Sequence, residues 1–140
     1  MHDIKYIREN PDDFDAALAK RGAAAAASNL LALDEQSRAL KTQLQEGQAR
    51  RNEASKAIGK AKGQGDEETA RALMAEVAEL KSKLPELEEQ ESAVSGRLQN
   101  VLAALPNLPG EDVPPGDNED DNVEVDRWGE PRKFDFAPKE

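Results

Sequence analysis

The residues best suited to chemistry are cations gathered near the middle of the chain. Arg50, Arg51, Lys56, Lys60 and Lys62 stand close together with Glu53 as the one acid among them, a local charge of +4, and Arg71 follows shortly after. Such a group suits electrostatic contact with phosphates, not bond-making. The residues that make and break bonds are missing. The single histidine, His2, sits beside the terminus with no identifiable acid–base partner. The run from Gly59 to Gly63 pairs glycines with lysines but lacks the GxxxxGK[ST] spacing and the preceding strand of a phosphate loop. The acids from Asp117 to Asp121 lack the spacing of a calcium loop and read as a solvated stretch. With no cysteine, neither a disulfide nor a zinc–cysteine site is available. No catalytic, cofactor-binding or metal-ligating residue is assigned.

What must position the cations is a pair of long helices. Leu30, Ser37, Leu44, Arg51 and Ile58 recur every seven residues, as do Leu33, Leu40, Gly47, Ala54 and Ala61, offset by three. These are the a and d rows of a heptad pattern. After a glycine-rich turn the rows resume, with Ala70, Val77, Leu84, Glu91, Leu98 and Leu105 in one and Leu73, Leu80, Leu87, Val94 and Val101 in the other. Folded back antiparallel, they set Ala61 against Ala70, Ala54 against Val77, Gly47 against Leu84 and Leu33 against Leu98. Three layers are awkward: Ser37 with Val94, Leu40 with Glu91, and Arg51 with Leu80. Arg51 and Glu91 are expected to lay their stems on the seam and send their charges to water. Lys60 at c, Lys56 at f and Arg71 at b point away from the seam.

The spacing predicts an all-α fold. Short helices fill 1–22, with one over 4–9 and another from Pro11 to Lys20, capped by Asn10 and ended by Gly22. The coiled-coil arm comprises 28–62 and 66–105, with its tip at 59–66 and Asp66 capping the second helix. Pro85 is expected to bend that helix without breaking it. Residues 1–105 form the helical domain. Residues 106–140 read as an extended linker with one or two short strands, at 122–128 and 134–136, and a turn at 129–131. One or two strands make no stable sheet alone, so this segment looks like the start of something further.

Charged residues are 34% and aromatics 4%, a balance that suits an exposed helical rod and not a thick core. The net charge of −10 argues against indiscriminate nucleic-acid binding, and DNA is not an expected partner. No apolar run approaches a membrane span, and the first residues lack a signal-peptide core, so a soluble cytoplasmic protein is expected. The seam is satisfied within one chain, so a monomer is expected.

Three segments together carry a resemblance: the opening MHDIKYIRENPDDFDAALAKRG, the tip IGKAKGQGDEE and the stretch LPNLPGEDVPPGDNEDDNVEVDRWGEPRKFDF. In this order and spacing the chain resembles the N-terminal region of bacterial seryl-tRNA synthetase. The resemblance implies a tRNA-binding arm that engages the long variable arm and elbow of serine tRNA, with Lys56, Lys60, Lys62, Arg71, Arg50 and Arg51 as the contact residues. It implies a full-length homodimeric enzyme that attaches serine to tRNA using ATP and magnesium. The class II catalytic domain of that family would begin after Glu140, so this chain alone is expected to be inactive and to hold no cofactor. Two other readings stay open: a structural coiled-coil module for protein partners, and a non-catalytic synthetase-like paralogue.

Overall fold

The computed structural model describes residues 2–116, 118–130 and 132–136. The chain divides into two units, Met1–Pro109 and Gly110–Glu140. The first holds four helices: α1 (Ile4–Glu9), α2 (Pro11–Ala19), α3 (Ala27–Gly63) and α4 (Glu67–Ala104). The two long helices form the expected hairpin. Every residue of the four heptad rows is buried or half-buried, which is the seam doing what its period demands. The register is visible at Gly47, where an added Cβ would lie 2.9 Å from Leu84 Cδ2.

The awkward layers resolve differently from the expectation at Glu91. Its carboxylate is not sent to water. Ser37 Oγ donates to Glu91 Oε1 at 3.2 Å, and Lys41 Nζ lies 3.3 Å from the same oxygen. Partners within reach satisfy the half-buried charge at less cost than stretching it out to solvent. Arg51 stays half-buried on the seam. At Pro85 the helix runs on without a break.

The core lies at the base of the hairpin. Ile7, Phe14 and Leu18 from the short helices meet Ala27, Leu30, Leu33 and Leu98, with Val94, Val101 and Leu105 packed around them. Polar bonds fix the same junction. Arg8 Nε reaches Asp34 Oδ2 at 2.9 Å, where the Asp34 side chain is only 9% exposed. His2 Nε2 donates to the Pro106 carbonyl at 3.0 Å, and its ring stands edge-on to Phe14. Asp15 Oδ1 accepts from Ala26 N and Ala27 N at 2.8 and 2.9 Å, so α2 supplies the cap that α3 lacks.

Asn10 is a correction. It occupies the cap position of α2, but its side chain makes no cap bond. Its amide and its backbone N–H both turn back to the Tyr6 carbonyl, closing α1. With one residue between two helices, the earlier helix claims it. Gly22 behaves as expected: at φ +66 it lets Ala23 N return to the Leu18 carbonyl and Gly22 N to that of Ala19.

Among its described residues the second unit contains one 3-10 turn, Glu119–Asp121, closed by reciprocal bonds between Asn118 and Asp121. The expected strands at 122–128 and 134–136 do not form among the described residues. Alternation supplies a face but not a ladder partner, and an unpaired strand has nowhere to send its backbone bonds. Val125 and Trp128 stand 92% and 98% exposed. Arg127 forks onto Glu124 at 3.1 and 2.8 Å, although the two would point to opposite faces of a strand. Gly129 and Glu130 of the expected turn are described, whereas Pro131 and Asp117 of the acidic run lie outside the described residues. No helix among the described residues is long and apolar enough to cross a membrane.

Candidate nucleic-acid interface

The far end of the hairpin is a tightly made turn. Gly65, at φ +74, lets Asp66 N return to the Ala61 carbonyl at 3.0 Å and Gly65 N to the Lys62 carbonyl at 3.2 Å. This pair of bonds closes α3, and a side chain at Gly65 would strain it. Asp66 then caps α4, accepting from Thr69 N at 3.0 Å. Hydrogen bonds from Thr69, its side chain first and its amide second, hold the Asp66 carboxyl below the usual carboxylate range. The turn thereby fixes where the last cations of α3 and the first of α4 project.

The six candidate cations separate into three kinds. Lys56, Lys60, Lys62 and Arg71 are exposed and make no salt bridge among the described residues. Lys56 and Lys60 are four apart on α3 and so neighbour each other on its outer surface. Arg50 is exposed but committed. Its guanidinium forks onto Glu76 of α4, with Nη2 to Oε2 at 2.8 Å, and Nη1 reaches Glu53 at 3.1 Å. The Glu76 bonds, then those to Glu53, raise the Arg50 pKa further above its already high value, and the same fork lowers that of Glu76. Arg51 is half-buried on the seam, and its carbonyl accepts from Ser55 Oγ at 2.7 Å. The structure therefore leaves four of the six exposed and without a salt bridge among the described residues, and spends or covers the other two.

The Arg50–Glu76 pair was legible in principle, since both residues fall at g and the two g rows of an antiparallel hairpin run side by side. Counting local charge alone could not find it, because Glu76 is far along the sequence. Between the helices on that side, Glu46, Gly47, Arg50 and Lys83 border a shallow groove. Among the described residues no group of three or more His, Asp or Glu could hold a metal ion. Exposed, flexible cations on a rigid rod suit contact with a polyanion.

Residues 1–109 match the family described as the seryl-tRNA synthetase N-terminal domain. The serine–tRNA ligases of Erythrobacter litoralis and Novosphingobium aromaticivorans are each 59% identical over 140 residues, all of this chain and 33% of the relative. That of Zymomonas mobilis is 47% identical over the same 140 residues. The chain spans about a third of the length of the curated relatives it matches.

Proposed function

The chain belongs to the seryl-tRNA synthetase N-terminal domain family, and on that footing we propose that its hairpin is the arm by which the full-length protein holds a serine tRNA. The observation that carries this reading is the set of four exposed cations, free of salt bridges among the described residues, at and near the end of the hairpin. In a chain whose net charge is −10, such a set is a local exception with a local purpose. The arm engages the long variable arm and elbow of the tRNA. Outward lysines and arginines on a rod have no route into the deep major groove of an RNA helix, so preference for serine tRNA comes from shape. Serine, ATP and magnesium are assigned to parts of the full-length protein other than these residues, and dimer formation likewise.

The test is a salt titration of this chain against a serine tRNA and against a tRNA with a short variable arm. Affinity for serine tRNA should fall with salt at a log–log slope of roughly −0.7 to −0.9 per phosphate neutralised. Changing Lys56, Lys60, Lys62 and Arg71 together to Ala should flatten that slope by about 1.4 units or more while the helices persist. Equal affinity and equal slope for the two proteins would remove these cations from the interface. Serine-dependent ATP–pyrophosphate exchange should be absent from the chain, and robust exchange in a preparation free of host synthetase would overturn that assignment.

A further inference from the structure

The two flanks of the arm differ in a way that its total charge conceals. The Arg50–Glu76 fork and the groove bordered by Glu46 and Lys83 define one flank, made of the c and g positions of both helices. From Gln45 to Lys62 on α3 and from Arg71 to Pro85 on α4 it carries Arg50, Lys60 and Lys83 together with four acids: Glu46, Glu53, Glu76 and Glu79. The opposite flank is made of the b and e positions. From Gln45 to Lys62 on α3, and from Arg71 to Pro85 on α4, it carries Lys62, Arg71 and Lys81 and no acid at all. At ~1.5 Å per residue this bare strip runs for about 25 Å. Glu67 bounds it at the tip, without a salt bridge to Lys62, and Glu88, also at e, bounds it toward the base.

We propose that the acid-free flank, through Lys62, Arg71 and Lys81, is the face of the arm that lies on the RNA. The inference rests on the arm reading above and says which side of the arm that reading uses. The two flanks offer equal numbers of cations, so attraction alone does not choose between them. The four carboxylates choose. Set against a row of phosphates within a Debye length of about 8–10 Å, they repel what the cations attract. On the bare flank the neighbours of the cations are instead Gln48 and Asn52, whose amides can donate to phosphate oxygens or ribose hydroxyls. A second observation points the same way. Met74, 49% exposed, is the one large apolar side chain exposed along α3 and α4, and it falls at e on this flank. A flexible thioether there can pack on a ribose. Lys56, at f on the crest of α3, belongs to neither flank, and Lys60 belongs to the wrong one.

Two single variants of this chain test the assignment with the same change of charge. Lys81→Glu reverses one cation on the bare flank; Lys83→Glu reverses one on the other. Helical content and melting temperature are measured for both. With serine tRNA as the probe, the first should lower affinity about tenfold at low salt and flatten the salt slope by roughly 0.7 to 0.9 units. The second should stay within about twofold of the unmodified chain. Asn52→Asp, which places one acid on the bare flank and removes no cation, should also weaken binding. Equal losses in the two variants, or a larger loss from Lys83→Glu, would overturn the choice of flank while leaving the arm reading intact. Absence of salt-dependent binding by the unmodified chain would overturn both.

Discussion

Asp66 holds the first turn of α4 as a charged acceptor, and its behaviour with pH follows from that. Its carboxyl ionises more readily in the folded chain than in the unfolded one. The stability it contributes is therefore present above the unfolded value, near ~3.9, and is lost as pH falls through the lower folded value. In an NMR titration Asp66 should show a midpoint below the ordinary one, with the Thr69 amide shift following it. Glu76 should titrate low as well, until Arg50→Ala removes its partner and returns it toward the usual range. The glycines of α3 make a second pair of expectations. Gly59 has nothing within 4 Å of where a Cβ would stand, so Gly59→Ala should stabilise the chain by about 0.5–1 kcal/mol. Gly47 faces Leu84, so Gly47→Leu should cost about 1–3 kcal/mol through overpacking. Thermal melts of the two variants should move in opposite directions.

At the scale of elements, the seam invites a direct disruption. Leu84 is 3% exposed in the middle of the arm, whereas Leu80 and Leu87 are half-buried. Leu84→Asp places a charge without a partner into the tightest layer and should cost about 3 kcal/mol or more. A variant that melted like the original would mean that the register is wrong. That register was legible in the sequence because a period of seven is a property of neighbours along one helix. So were the Asp66 cap and the closure at Gly22, which depend on residues a few positions apart. What escaped were bonds between distant parts: the Asp15 cap on α3, the hold of Ser37 and Lys41 on Glu91, and the fork from Arg50 to Glu76. Each pairs a polar residue with a partner 11 or more positions away, and composition ranks many such partners equally. The strands expected between 122 and 136 failed for the opposite reason. Their local pattern was present and the distant partner was not.

For the whole molecule, the hairpin satisfies its seam inside one chain, so sedimentation at micromolar concentration should return the mass of a single copy. A stable dimer would point to a hairpin that opens and swaps. The base deserves a separate test, since it alone joins α1 and α2 to the arm. Arg8→Ala strands the buried Asp34 and should lower stability by about 1–3 kcal/mol, read by denaturant unfolding. The same junction has a geometric consequence. Within Met1–Pro109, the packing that surrounds the hairpin lies at one end, where His2 meets Pro106, and nothing in that unit braces the other. The arm is a cantilever. With Leu33 the last residue of α3 in that core and Gly63 its end, the free end stands about 45 Å from the clamp. A tilt of about one degree at the base therefore carries Lys62 sideways by about 0.8 Å, a quarter of a hydrogen bond's length. The aim of the cations at the tip is set by the tightness of a core they never touch.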